Sequence, residues 1–316
     1  MSTVKSYLSL VKFSHTIFAM PFAMIGFFLG VYELKIRSFV NGEPGVAVWH
    51  TTIIPPYFYL TRFVLVIFCM VFARSAAMAF NRYLDRSFDA KNPRTAIREI
   101  PAGIISKESA LRFVIFNCIA FVVATFFINS LCFYLSPVAL FVVLGYSYTK
   151  RFTPLCHLIL GLGLSLAPIG AFLSVTGYFS LLPVLFSLTV IFWVSGFDII
   201  YALQDEEFDK SEKLYSMPSW LGKSKALRVS EFLHLLSAVC VVVAGRYGEF
   251  GLWYWIGVAI FAGMLIYQHS IVKPNDLRRV NLAFMTANGI ASVVFAVFVI
   301  TDLQVHTHNF SSLISH

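Results

Sequence analysis

Residues 179–209 read FSLLPVLFSLTVIFWVSGFDIIYALQDEEFD, an apolar run that ends in a cluster of acidic residues. Residues 179–204 contain one charged side chain, Asp198, over more than the ~20 residues that a helix needs to cross a bilayer. A run of this length and composition is typical of a transmembrane helix. The stretch therefore predicts a membrane-spanning helix that delivers carboxylates to one surface of the membrane.

The rest of the chain has the same apolar character. Of its 316 residues, 58% are hydrophobic and 13% are charged, whereas soluble domains are about one quarter charged. A larger globular core does not explain this depletion, because its surface must still face water. We predict an all-α integral membrane protein, a single domain over residues 1–316 with about nine transmembrane helices. The predicted spans are 17–34, 57–80, 110–129, 131–149, 156–176, 179–204, 229–246, 252–270 and 281–301.

The basic residues fall mainly on one side of this predicted topology. With the loops assigned alternately to two sides, one side carries 19 lysines and arginines and the other carries 4. By the positive-inside rule the first side is cytoplasmic, which places the N-terminus inside and, with nine spans, the C-terminus outside. We therefore predict a multi-pass protein of the inner (cytoplasmic) membrane. The net charge of +8 reflects topology, so the expected partner is the lipid bilayer and not nucleic acid.

The two long loops on the basic side resemble each other. Each contains, in the same order, a carboxylate pair, a proline, Ser-Lys and Ala-Leu-Arg. This order predicts an internal pseudo-repeat of two helix–loop units that cap the cytoplasmic end of the bundle. The matching positions are Asp85, Asp89, Pro101 and residues 106–112 in the first loop, and Asp205, Asp209, Pro218 and residues 224–228 in the second.

The first acidic motif lies at the end of the second predicted span. Asn81, Asp85 and Asp89 are spaced by four, which places them on one helical face. Stacked carboxylates repel each other, and Mg²⁺ relieves that repulsion through a few carboxylates and substrate phosphates. The motif is thus a candidate metal site, and the alternative is a solvated helix end.

The second acidic motif ends the sixth predicted span. Offsets of 3, 7 and 11 residues place Tyr201, Asp205 and Asp209 on the helical face of Asp198. Asp198 stands within an apolar stretch, where an ionisable residue usually lines a cavity or a relay. Two such motifs on the same side of the membrane favour a site over two solvated helix ends.

Basic residues occur close to both motifs. Lys150 and Arg151 end the fourth span, and Arg94 and Arg98 follow the first motif, where they are either phosphate ligands or topological anchors. Arg74 lies inside the second span on the face of the first motif. An intramembrane arginine either binds a substrate or pairs with another buried charge, here Asp198.

These motifs resemble those of the UbiA superfamily of intramembrane prenyltransferases over essentially the whole chain. The first signature corresponds to residues 81–89 with Asn-Pro-Arg-Thr at residues 92–95. Residues 198–209 are similar to the second signature, in the form seen in 4-hydroxybenzoate polyprenyltransferases. Residues 146–151, Tyr-Ser-Tyr-Thr-Lys-Arg, resemble the family's basic motif.

The resemblance implies a reaction in which an allylic polyprenyl diphosphate alkylates a hydroxylated aromatic carboxylate of 4-hydroxybenzoate type, in ubiquinone or menaquinone synthesis. It implies two Mg²⁺ ions, and an aromatic-rich cavity would protect the prenyl cation. Expected metal ligands are Asn81, Asp85 and Asp89 for one ion and Asp205 and Asp209 for the other. Expected catalytic residues are the four aspartates and Arg151, and expected substrate-binding residues are Asn81, Arg94, Lys150, Arg74, Tyr148, Tyr201 and Asp198.

One segment departs from the classical pattern. Residues 12–21 read KFSHTIFAMP, where many 4-hydroxybenzoate enzymes carry an Arg-x-Asp-Lys-Pro-like run. A 1,4-dihydroxy-6-naphthoate-type acceptor of menaquinone synthesis is therefore the alternative within the family. A membrane transporter is the alternative from another class, although paired acidic motifs at helix ends are not what a transporter needs.

Overall fold

The computed structural model describes residues 3–11, 18–40 and 55–314. Within these ranges the regular elements are helices, with one isolated β-bridge between Lys273 and Asp276. A 3-10 turn at Leu203–Asp205 follows α8, and a π-helical segment at Leu282–Ala287 precedes α13. The α-helices are α1 Thr3–Leu10, α2 Met20–Val40, α3 Pro56–Leu84, α4 Arg86–Lys91, α5 Lys107–Ile128, α6 Ser130–Thr149, α7 Cys156–Thr176, α8 Leu181–Ala202, α9 Glu206–Ser211, α10 Met217–Leu221, α11 Lys223–Tyr247, α12 Leu252–Ile271 and α13 Asn288–Ile314.

The helices confirm the prediction of an all-α membrane protein. Among the described residues, eight helices are long and apolar enough to cross a membrane. α7 begins and ends at the residues predicted for its span. The predicted span 17–34 overlaps α2, whose 21 residues extend roughly 30 Å, but α2 is not one of the eight. The count of nine is therefore close to the observed count and is not confirmed.

Close helix contacts place α7 between α2 and α8. A Cβ atom at Gly26 of α2 would lie 2.0 Å from the carbonyl oxygen of Pro168 in α7. A Cβ atom at Gly161 of α7 would lie 2.5 Å from the carbonyl oxygen of Ile191 in α8. Membrane helices approach this closely where a small residue faces the neighbour, so these two glycines allow α7 to pack directly against α2 and α8.

Aromatic side chains fill the core on the side formed by α2, α8, α12 and α13. Trp193 of α8 is fully buried, and its ring centroid lies 5.2 Å from that of Phe22 and 6.1 Å from that of Phe261. Large rigid rings in such contact restrict helix movement. This packing fixes α8, the helix that carries Asp198.

The predicted repeat corresponds to two units with the same local architecture. In the first unit α3 ends before Asp85, and the six-residue α4 carries Asp89. In the second unit α8 gives way to a 3-10 turn that contains Asp205, and the six-residue α9 carries Asp209. The α-helix is interrupted at the first aspartate of each pair, although the backbone N–H groups of Asp85 and Asp89 still donate to the carbonyl oxygens four residues earlier.

Candidate active site

In the first unit, the carboxylates lie at the junction of α3 and α4. Asn81 donates a hydrogen bond from Nδ2 to Asp85 Oδ2 over 3.1 Å. Asp89 is 7% exposed, and both of its carboxylate oxygens accept from Arg98 Nη1, at 2.7 and 2.9 Å. A buried carboxylate requires such a partner, so Arg98 neutralises the charge of Asp89 within the site.

In the second unit, the carboxylates lie at the junction of α8 and α9. Asp209 is fully buried, accepts a hydrogen bond from Ser216 Oγ at 2.8 Å and pairs with Lys150 Nζ at 2.7 Å. Asp205 forms an ion pair with Arg94, whose Nε lies 3.1 Å from Oδ1. Because Arg94 follows α4, this pair joins the two units.

The connection between α6 and α7 also joins both units. Arg151 Nη2 lies 3.2 Å from Asp85 Oδ1, whereas the preceding residue, Lys150, pairs with Asp209. The Cα atoms of adjacent residues are about 3.8 Å apart, so one aspartate from each unit must lie within reach of the same short segment. The four predicted aspartates are thus brought together with the predicted cations Arg94, Lys150 and Arg151.

Burial and ion pairing act in opposite directions on these charges. Burial raises the pKa of Asp85, and the hydrogen bond and charge of Arg151 oppose that rise. Burial alone would lower the pKa of Lys150, but the charge of Asp209 contributes to a net rise. Burial also acts to lower the pKa of Arg94, and Asp205 contributes to raising it overall. Lys150 and Arg94 therefore remain cationic at neutral pH, as anion-binding groups must.

The predicted metal ligands supply oxygen donors of the kind that Mg²⁺ prefers. Within the described residues, no three His, Cys, Asp or Glu side chains are arranged to hold an ion. Mg²⁺ commonly binds one or two carboxylates and completes its shell with phosphate and water. Asp209 Oδ1 lies 2.7 Å from Lys150 Nζ, and a carboxylate oxygen has a further lone pair for a metal ion. The donor set fits magnesium held jointly with a phosphate-bearing substrate.

A cavity of about 370 Å³ lies between α3, α5, α6 and α7. Arg74 and Tyr146 line it on the sides of α3 and α6, a few residues before Asn81 and Lys150 in their helices. Most of its lining is aliphatic or small, with Phe121 and Phe179 as its phenylalanines. The expectation of an aromatic-rich cavity is wrong here, because most of the buried aromatic rings pack in the core around Trp193.

The two predicted tyrosines have different environments. Tyr201 is at the site, where its hydroxyl accepts a hydrogen bond from Arg94 Nη1 at 2.8 Å. Tyr148 is 46% exposed and packs on Phe80, with ring centroids 5.8 Å apart. The structure does not bring Tyr148 to the cavity, and Tyr146, two residues earlier on the other side of α6, lines it instead.

Asp198 pairs with a residue that the sequence reasoning missed. His157 Nδ1 lies 2.6 Å from Asp198 Oδ2, so the suggested pairing of Asp198 with Arg74 is wrong. Arg74 has no hydrogen bond or ion pair with any residue that the structure describes, and its Nε atom is buried. A lone histidine at the start of an apolar span was the signal available for His157.

Comparison with known proteins supports the resemblance seen in the motifs. The sequence model of the UbiA prenyltransferase family matches residues 44–290 of the chain. The 4-hydroxybenzoate octaprenyltransferase of Tolumonas auensis is 28% identical over 243 residues, 77% of this chain and 84% of that protein. The enzyme of the same name from Nitrosomonas europaea is 29% identical over 235 residues, 74% of this chain and 80% of that protein.

Solved structures share the fold. The apo structure of a UbiA homologue from Aeropyrum pernix K1 aligns with a TM-score of 0.72 and 26% identity, over 92% of this chain and 98% of that one. A UbiA homologue from Archaeoglobus fulgidus bound to GPP and Mg²⁺ aligns with a TM-score of 0.68 over 95% and 99% of the two chains. At 19% identity, the second likeness extends to the fold alone.

Proposed function

Because the chain belongs to the UbiA prenyltransferase family, we propose that it transfers a polyprenyl group from an allylic polyprenyl diphosphate to the ring of a hydroxylated aromatic carboxylate in quinone biosynthesis. The prenyl C1–oxygen bond breaks with its electron pair leaving on diphosphate, a ring carbon bonds to C1, and the ring loses one proton. The relatives named 4-hydroxybenzoate octaprenyltransferases favour a 4-hydroxybenzoate-type acceptor. Family membership removes the transporter alternative.

The observation that carries this proposal is the pairing of two acidic units with basic side chains at one end of a membrane bundle. Asn81, Asp85 and Asp89 would hold one Mg²⁺ ion, and Asp205 and Asp209 the other. Bound there, the ions would neutralise charge on the diphosphate. The two-ion assignment is supported by the presence of two units with the same architecture.

Lys150, Arg151 and Arg94 would bind the departing diphosphate. Each lies within 3.2 Å of one of the aspartates, so each is already held at the site. Preorganised cations stabilise a developing anion without further reorganisation. From the distribution of basic residues, this end of the bundle would lie on the cytoplasmic side of the inner membrane.

The acceptor would lie where the cavity meets the carboxylates. Arg74 would bind the acceptor's carboxylate, since its guanidinium has no other partner among the described residues. Asp198 would accept a hydrogen bond from the ring hydroxyl, and Tyr201 would border the reacting carbon beside Arg94. Tyr148 does not line the cavity, but the Arg151 guanidinium lies 5.8 Å from the centroid of its ring, so it would contribute to the substrate site from the diphosphate side.

The deeper part of the cavity would hold the isoprenoid tail. Gly170 of α7 lines it, and a Cβ atom there would meet nothing within 4 Å. We expect Gly170→Leu to lower kcat/KM for octaprenyl diphosphate about tenfold relative to geranyl diphosphate. The leucine side chain would occupy part of the cavity that the longer isoprenoid tail needs. Competition between the two donors in lipid nanodiscs measures this ratio.

Gly263→Leu is the matched control for that experiment. Gly263 also has open space at its Cβ position, but it lies on the exposed face of α12 and does not line the cavity. Its substitution should leave the donor ratio unchanged. If Gly170→Leu and Gly263→Leu gave the same ratio of kcat/KM for the two donors, the isoprenoid tail would bind outside this part of the cavity.

A product assay tests the proposed acceptor class. Purified protein in lipid, Mg²⁺ and octaprenyl diphosphate are incubated with 4-hydroxybenzoate or with 1,4-dihydroxy-6-naphthoate, and products are identified by mass spectrometry. We expect ring-prenylated 4-hydroxybenzoate. Prenylation of the naphthoate alone would select the family alternative suggested by residues 12–21, of which residues 12–17 lie outside the described part of the structure.

A further inference from the structure

His157 and Asp198 form a buried pair whose hydrogen-bond directions can be assigned. His157, in the first turn of α7, is 3% exposed. The backbone N–H of Met217 donates to its Nε2 atom over 3.2 Å. A ring nitrogen that accepts a hydrogen bond carries no proton, so the proton of a neutral imidazole is on Nδ1. His157 therefore donates from Nδ1 to Asp198 Oδ2 over 2.6 Å.

The donor to His157 is itself fixed by the second acidic unit. Met217 is the first residue of α10 and follows Ser216, the residue that caps this helix. The Ser216 hydroxyl donates to Asp209 Oδ2 at 2.8 Å. A continuous chain of contacts thus runs from Asp209 through Ser216, Met217 and His157 to Asp198, and it joins a proposed metal ligand to a carboxylate inside the membrane.

The other oxygen of Asp198 is available for a substrate. Oδ1 has no hydrogen bond to any residue within the described part of the chain, and the side chain is 22% exposed. Asp198 does not itself line the cavity, but Leu160, one helical turn after its partner His157 in α7, does. The His157–Asp198 pair therefore lies next to the cavity assigned to the acceptor. A carboxylate in an apolar environment is costly to bury without a hydrogen-bond donor, and that donor also fixes its orientation.

We propose that His157 is a positioning residue, which holds Asp198 so that its Oδ1 receives the proton of the acceptor's ring hydroxyl. This inference rests on the proposed function. As the ring carbon bonds to prenyl C1, the hydroxyl proton moves to Asp198 and the ring becomes a dienone. Asp198 returns that proton to oxygen when the substituted ring carbon loses its own proton to solvent, which restores the aromatic ring. Each turnover releases diphosphate and one proton.

Substitutions of His157 separate positioning from packing. His157→Leu keeps the bulk but makes neither hydrogen bond, and we expect kcat to fall about 100-fold, the contribution of a positioned general base. The KM for the prenyl diphosphate should change less than about twofold, since the diphosphate ligands are untouched. His157→Gln can accept from Met217 and donate to Asp198, so it should restore most of kcat.

Matched variants guard against a simple folding defect. His234 of α11 is also buried, at 2% exposure, and contacts His269 and the carbonyl oxygen of Trp193 but not Asp198, so His234→Leu should retain near wild-type kcat when folded. Met217→Pro deletes the N–H that fixes the tautomer at a helix position where proline is tolerated, and it should lower kcat with His157 intact. Thermal unfolding in detergent is followed for every variant.

Three results would overturn the positioning role. The first is unchanged kcat in folded His157→Leu, and the second is failure of His157→Gln to restore kcat. The third is a further loss of kcat when His157→Leu is added to Asp198→Asn, because the effects of residues that act as one unit are not additive. If His157→Leu does not fold, unchanged kcat in Met217→Pro overturns it. Absence of any prenylated product from the wild-type protein would instead contradict the proposed function.

Discussion

Replacing Asp209 or Asp205 with asparagine is expected to lower kcat at least about 100-fold while the protein remains inserted and folded. Asparagine keeps the size of the side chain and can still accept from Ser216 at position 209. It removes the negative charge that a divalent ion requires. Initial rates of diphosphate release at saturating donor, over a range of Mg²⁺ concentrations, measure the effect.

Glu207→Gln provides the control for this substitution. Glu207 lies on α9 between the two aspartates in sequence, but its side chain is exposed. The same loss of charge there should leave kcat within about twofold, because exposed charges are screened by solvent. Full activity in both Asp205→Asn and Asp209→Asn would remove the basis for the metal assignment.

Arg74→Gln is expected to raise the acceptor's KM about tenfold or more and to leave the KM of the prenyl diphosphate nearly unchanged. A hydrogen bond to a charged partner contributes about 1.5–3 kcal/mol, and Arg74 has no competing partner in the described structure. Because Asp198 is paired with His157, removing Arg74 leaves no carboxylate unpaired. The measurement is separate titration of each substrate.

Arg62→Gln is the control on the same helix. Arg62 lies twelve residues before Arg74 in α3, about 18 Å along the axis, and donates to the carbonyl oxygen of Phe127. Its substitution should change neither KM. Unchanged acceptor KM in a folded Arg74→Gln protein would show that the acceptor's carboxylate is bound elsewhere.

Sequence patterns predicted the helices well because span length and polarity are set by the bilayer itself. α7 matches its predicted span at both ends, and both acidic motifs lie at helix ends. The motifs also predicted which aspartates and cations come together. These features depend on local composition and on the short loops that force consecutive helices to be neighbours.

The contacts between helices were the part that the sequence did not reveal. Periodicity gives the face of a residue on its own helix, but not which neighbour that face meets. Tyr146 and Tyr148 lie on opposite sides of α6 because two residues advance a helix by about 200°, and only the packing of α3 and α7 decides which side is the cavity. The partner of Asp198 depends likewise on how α7 meets α8 and α10.

The most direct test of the central claim is metal-dependent prenyl transfer by the purified protein in lipid. Octaprenyl diphosphate and 4-hydroxybenzoate are supplied with Mg²⁺ or with excess EDTA, and diphosphate and prenylated product are quantified together. We predict equal amounts of diphosphate and ring-prenylated product with Mg²⁺, neither with EDTA, and at most about one hundredth of either with Asp209→Asn. Equal product formation with and without Mg²⁺, or none under any condition with a folded protein, would contradict a metal-dependent prenyltransferase site at the two acidic units.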